Sequence, residues 1–395
     1  YALRNISGTA DMNTAVGYGA MQGASTGLTD AAQYNVAIGH SSMGGLTGGY
    51  SNVAMGRDSL LTITTGYENT AVGTFSMSDN TTGKLNVAIG AYAATGNTTG
   101  QENVAVGTSA LQENQEGDEI VAVGRYALYN YNPSAGNGDS VAVGANAAFT
   151  YSTGVQSVFI GRRAGYLATT ANNLVVIGRE AGYNLTTGSS NVLIGMRSGY
   201  NVTKGAENVM IGQSAGQNYA GTTSGVYGAF GVFIGHAAGY AVTGNHSYGS
   251  IMAIGHQPMY NATGAKKSIA IGQSAVVSGT NAEDVVALGN AAGAYADATG
   301  STLIGNKAGF RSSGNYNTVV GYRALSGSSS GDTSHNNVAI GYVAMEDSSA
   351  AVENVVIGTF AGTNMTTASY NTIVGPYAGR DITAGNRNVA LGYAA

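Results

Sequence analysis

A five-residue phrase, Asn86-Val87-Ala88-Ile89-Gly90, returns from one end of this chain to the other, and no other feature constrains the fold as much. Its closing glycine occurs 22 times, from Gly17 to Gly392, and fourteen of the 21 intervals are 17 residues long. A strict short period means a stack of similar units, none of which can bury its apolar face alone. The repeat therefore predicts one continuous solenoid over residues 1–395, with about 22 coils of ~17 residues and no separate globular domain. At one strand spacing of ~4.8 Å per coil, the stack would be roughly 105 Å long.

With the coil glycine as position 0, position −1 is Val, Ile, Leu or Met in every unit, and position −3 is mostly Val. Position −2 is always apolar, as in Ala15, Ala88, Phe159, Leu193 and Ile373. Three consecutive apolar residues, rich in β-branched types and bounded by Asn and Gly, read as a short strand buried on both faces. A glycine every 17 residues and the lack of a 3.6-residue period exclude a helix. Position +3 is Ala or Ser everywhere except Pro258. A second short strand is expected there, with −1 and +3 facing each other across a thin interior.

Positions −2 and +4 exchange volume. Ala54 goes with Leu60 and Ala105 with Leu111, whereas Phe159 goes with Gly165 and Leu193 with Gly199. Ala287 with Gly293 is underfilled and Val319 with Leu325 overfilled. Such compensation means a shared cavity, because interior density is held constant. If −1 and +3 point inward, strand parity sends −2 and +4 outward, where they would meet only between chains. Together with strands apolar on both faces, this predicts a parallel homotrimer. Asn at −4, in 13 of 22 units, is expected to form a hydrogen-bonded column. Turn residues such as Thr81-Thr82-Gly83 fill the rest of each coil. The longer intervals put their extra residues in loops at 131–139, 218–231, 244–250 and 326–336.

Composition narrows the function. Only 9% of residues are charged and the net charge is −5, so no basic surface offers itself to nucleic acid. No cysteine is present, which removes disulfides and thiolate metal sites. No apolar run approaches the ~18 residues of a membrane span. A start at Tyr1 and a stop part-way through a repeat read as the ordered portion of a longer or processed polypeptide.

Units such as Asn35-Val36-Ala37-Ile38-Gly39 and Asn337-Val338-Ala339-Ile340-Gly341, each with a small residue three places on, resemble the head repeats of YadA-like trimeric autotransporter adhesins. The longer form, with Asn13–Tyr18 and the Thr-Thr-Gly turns, is similar to repeats of phage tail-fibre proteins. The resemblance covers nearly the whole chain. It implies a left-handed parallel β-roll, three chains in one rod, and attachment to surfaces. The 17-residue unit is longer than the typical adhesin head repeat, and no coiled-coil stalk, membrane anchor or chaperone tail is recognisable.

Catalytic chemistry is not evident. Glu68, Glu102, Glu207 and Glu353 recur before the strand, two or more coils apart, too far for a glycosidase pair at ~5–9 Å. The acidic run Glu113, Glu116, Asp118 and Glu119 reads as a solvated turn rather than a calcium loop. His40, His236, His246, His256 and His335 read as surface residues, with His236 and His256 in one column and able to stack. No cofactor or metal site is expected. The aromatic columns say more: Tyr166, Tyr183, Tyr200, Tyr240 and Phe310 share position +5, and Tyr18, Tyr322, Tyr342 and Tyr393 share +1. Rows of Tyr with Asn and Thr suit sugars and other surfaces, since tyrosine joins an apolar face to a hydroxyl. The leading expectation is a non-enzymatic, extracellular fibre, on a bacterial surface or a virion tail, that binds a host-cell surface, glycan or extracellular matrix. The alternative is a structural filament or matrix protein joined end to end or laterally, since the terminal coils lack polar caps.

Overall fold

The computed structural model describes residues 12–23, 27–219, 230–243, 250–279, 282–295, 297–327 and 332–395. It is a parallel β-solenoid advancing one turn per ~17 residues, and none of the described residues is helical. Among the described residues, twenty-two strands of three or four residues lie where the sequence places them; β5 is Val87–Ile89 and β6 is Val104–Val106. Two compact units divide the chain, Tyr1–Ser190 and Asn191–Ala395. Within each, successive strands pair in parallel and without slip, as in Val87↔Val104, Ala88↔Ala105 and Ile89↔Val106. No helix of the described residues is long and apolar enough to cross a membrane.

Side-chain direction differs from the expectation in one respect that matters. Position −2 points into the coil: Ala88, Phe159, Met210 and Ile373 are fully buried. Positions +3 and +4 are buried with it, for example Ala110 with Leu111 and Ser59 with Leu60. Positions −1 and −3 point out, and Ile89, Ile160 and Ile304 remain 41%, 38% and 38% exposed. The volume exchange between −2 and +4 is thus internal to one coil and is no argument for meeting between chains. A Cβ on Gly309 would lie 2.7 Å from Leu303 Cδ2, and one on Gly379 2.6 Å from Ile373 Cδ1. The underfilled pair Ala287 and Gly293 is completed by the next coil, whose Leu303 Cδ1 lies 2.8 Å from a Cβ on Gly293.

Parity failed because the second strand does not form. Positions +2 and +4 both take left-handed φ, as in Phe75 (57°) and Met77 (47°) or Tyr126 (59°) and Leu128 (49°). Alternation of side chains between faces holds only for extended backbone. In this turn the two neighbours +3 and +4 can both enter the core. The left-handed residues also turn the peptide planes along the stack. The Phe75 N–H donates to Arg57 O in the coil before (3.0 Å), and the Met77 N–H to Ala93 O in the coil after (2.9 Å). Non-glycine residues in this region are strained by ~1–2 kcal/mol each, which the inter-coil hydrogen bonds offset.

The asparagine column forms as expected, buried at Asn35, Asn52, Asn69, Asn86 and Asn103 in the first unit and at Asn337, Asn354 and Asn371 in the second. The Asn69 Nδ2 donates to Asn52 Oδ1 (3.0 Å) and to Gly83 O (2.8 Å), while its Oδ1 accepts from the Asn86 backbone N–H (3.1 Å) and Nδ2 (3.0 Å). All four hydrogen-bonding positions of the amide are filled, so the column is a satisfied polar network within an apolar core. The second unit repeats it through Asn337, Asn354, Asn371 and Asn388. At +7 the inner corner is held by Leu46, Ile63, Tyr131, Tyr151 or Tyr219, and in three consecutive coils by Asn80, Asn97 and Asn114. The coil glycine is required outright: Gly90 has φ +134°, and a Cβ there would lie 2.6 Å from Gly107 O. Of the inserted loops, 131–139 is described; those at 218–231, 244–250 and 326–336 lie wholly or partly outside the described residues.

Candidate functional surface

The +5 aromatics sit half-buried where the chain leaves the left-handed turn. Tyr166 and Tyr183 stack at 5.1 Å between ring centroids, with planes 13° apart. The column continues through Phe149, 5.4 Å from Tyr166, to Tyr129, 5.1 Å from Phe149. Tyr240 stacks on Tyr260 at 4.8 Å. Tyr200 lies under the Arg197 guanidinium at 5.7 Å. Phe310 stands edge-on to Tyr295 at 5.9 Å, with Arg311 5.1 Å and Lys307 5.7 Å from its centroid. The structure thus joins Tyr166 and Tyr183 in one ladder and leaves Tyr240 and Phe310 in separate groups. Tyr129, Phe149 and Tyr260 also hold position +5, but without the +4 glycine that precedes Tyr166, Tyr183, Tyr200, Tyr240 and Phe310, and were passed over in the sequence analysis. These three follow Leu128, Ala148 and Met259; position alone would have found them.

Other columns behave alike. Tyr322 stacks on Tyr342 (5.2 Å), Tyr50 on Tyr67 (4.7 Å), and His236 on His256 (5.0 Å, planes 13° apart). Tyr18 stacks on His40 at 5.4 Å, and Tyr393 stands edge-on to Tyr377 at 5.8 Å. His246 lies outside the described residues. In-register stacking follows from a constant coil rise: equal rotamers at equal positions bring rings about 5 Å apart, within the favourable range for aromatic pairs. The consequence for binding is chemical. A ring stacked on both sides presents its edge and hydroxyl to solvent, and has no face left for a ligand. Burial acts on the inner tyrosines instead: it pushes the Tyr151 hydroxyl up to about 12 and raises that of Tyr131 too, and each donates inside the core.

Tyr316 differs. It is 61% exposed, at position −5 with φ +59°, and its Cδ1–Cε1 edge lies against Gly300, where a Cβ would lie 2.6 Å from Cδ1 and 2.8 Å from Cε1. Beside it, a cleft of about 360 Å³ is lined by Ser313, Asn315, Tyr316, Thr333, His335 and Asn336. Asn315 Oδ1 accepts the Thr299 backbone N–H (2.9 Å), and His335 Nδ1 lies 3.0 Å from Thr333 O. The cleft occurs where two 16-residue intervals give way to one of 20, so the regular surface is interrupted there.

The acidic run does not gather. Asp118 Oδ1 accepts the Gln101 backbone N–H at 2.8 Å, and among the described residues no group of three or more His, Asp or Glu converges on a point that could hold a metal ion. One buried acid was not anticipated: Asp332 accepts the Ser334 backbone N–H (2.9 Å) and the Ser348 hydroxyl (3.1 Å) inside the core. Burial raises its carboxyl above the usual carboxylate range, although the serine hydrogen bonds pull the other way. Compared with known proteins, the chain matches no family model and no curated protein.

Proposed function

We propose that this chain is part of an extracellular, non-enzymatic fibre in which three identical solenoids stand parallel and in register, with left-handed coils, and that the fibre attaches to surfaces. The observation that carries the reading is the outward face of the strands. Positions −3 and −1 hold only Val, Ile, Leu, Met and Thr in all 22 units, with no charge at any of them. On the single chain this face stays partly open, as at Ile89 and Ile160. Covering roughly 60 Å² on each such isoleucine would contribute about 1.5 kcal/mol, repeated coil after coil. Contiguous apolar strips of that kind mark association sites. The partner that fits best is another copy, because only the same chain repeats the same irregular intervals in the same order. A closed three-fold arrangement covers the strip on every chain and leaves the turns outside. The likeness to adhesin-head and tail-fibre repeats supports attachment as the role, with many weak contacts multiplied by symmetry.

Sedimentation equilibrium of the purified protein tests this. The expected species is three times the 39.6 kDa chain mass, and it dissociates when Ile89→Lys and Ile160→Lys are combined. A folded, soluble monomer at micromolar concentration would overturn the trimer. Absence of adhesion to immobilised cell surfaces, glycans and matrix proteins would overturn the attachment role.

A further inference from the structure

We propose that the cleft beside Tyr316 is a subsite for a single pyranose ring of a surface glycan. The inference rests on the surface-attachment reading above and names the chemistry of one contact within it.

A sugar ring is held by two kinds of group. Its face of axial C–H bonds packs against an aromatic face, and its hydroxyls exchange hydrogen bonds with amides, hydroxyls and imidazoles. A ring stacked on both sides, as Tyr166 is by Phe149 and Tyr183, cannot supply the first, and each ring of the pairs Tyr50 and Tyr67, Tyr240 and Tyr260, and Tyr322 and Tyr342 has one face covered by the other. Tyr316 can supply it. Gly300 meets its ring along the Cδ1–Cε1 edge, where a side chain would collide with it, so the glycine makes room for the ring without covering a face. The ring lines the cleft, whose wall in the next coil is Thr333, His335 and Asn336. The second kind of group is therefore within reach of the first. With Asn315 Oδ1 engaged by the Thr299 N–H, the amide is oriented by the backbone, and the Thr333 carbonyl likewise fixes the imidazole of His335 through Nδ1. A volume of about 360 Å³ lies at the lower end of the small-ligand range. Among the described residues no carboxylate or ammonium lines the cleft, which suits a neutral sugar rather than an ionic ligand.

Saturation-transfer NMR on the full chain tests the assignment, with the methyl pyranosides of glucose, galactose, mannose and N-acetylglucosamine as probes. At least one probe is expected to receive saturation at its ring C–H protons. Its Kd should weaken roughly tenfold in Tyr316→Ala, the loss of about one good contact, and stay unchanged in Tyr34→Ala, another exposed position −5 tyrosine. Both side chains are exposed, and circular dichroism confirms that each variant folds. Transfer to none of the four probes, or transfer that survives Tyr316→Ala, would overturn the subsite. Adhesion of the same proteins to immobilised cell surfaces is measured alongside. Adhesion that persists without pyranoside binding removes the subsite and leaves attachment standing, whereas loss of adhesion in the native chain removes the attachment role itself.

Discussion

Exchanging the partners of one core pair tests most directly whether positions −2 and +4 share space within a coil. Phe159 is fully buried, and a Cβ on Gly165 would overlap its ring. Phe159→Ala alone should cost about 3–5 kcal/mol through lost burial and a cavity. Gly165→Leu alone should cost about 1–3 kcal/mol for overpacking and a further ~1–2 kcal/mol for a side chain at positive φ. The backbone itself accepts the residue, since Leu128 holds φ 49° in the same column where Gly165 holds 58°. Together the two changes recreate the Ala122 and Leu128 pair. Independent effects would sum to roughly 5–10 kcal/mol, whereas shared space leaves about 1–3 kcal/mol, a coupling of at least ~2 kcal/mol. Hydrogen exchange reads this locally, through the Val158 and Gly165 amides that donate to Leu174 O (2.7 Å) and Ala181 O (2.9 Å). Additivity within about 0.5 kcal/mol would refute the packing argument.

Asn69→Ala strips four hydrogen bonds from a buried column and should lower the opening free energy of its own and the next coil by roughly 3 kcal/mol or more, seen as faster exchange at Asn86. Gly90→Ala drives a methyl into Gly107 O and should unfold that coil, by more than about 4 kcal/mol, as judged by limited proteolysis between residues 85 and 107. Asp332 has a folded-state pKa raised by burial, so the folded state holds its proton more tightly than the unfolded chain does. Its contribution is greatest below the unfolded carboxylate pKa of ~3.9 and is lost as pH rises through the raised folded value. Asp332→Asn should therefore flatten the pH dependence of exchange in the coil around Ser334 and Ser348 and stabilise it at neutral pH; an unchanged profile would contradict this.

Legibility followed the kind of signal. The strands, the coil glycine and the asparagine column were readable because each needs one residue type at one position: β-branched residues for a buried strand, glycine for close backbone approach, an amide for a ladder. The His236–His256 stack followed from column and rise alone. The cleft at Tyr316 was not readable. It depends on a ring leaning onto Gly300 and on a change of interval, and neither leaves a motif. Asp332 was missed because a lone aspartate in a serine-rich loop looks solvated until the fold closes over it.

The amino-acid sequence alone determined that a coil closes every ~17 residues, that its three-residue strand ends at a glycine, and that −2 and +4 compete for volume. Which face of the strand turns inward was decided only by the tertiary structure. Val87, Ala88 and Ile89 are all apolar, so polarity could not orient them. The choice came from left-handed residues at +2 and +4, which bring +3 and +4 together into the core opposite −2. Backbone conformation at those positions is imposed by hydrogen bonds to the coils before and after, which no single repeat contains.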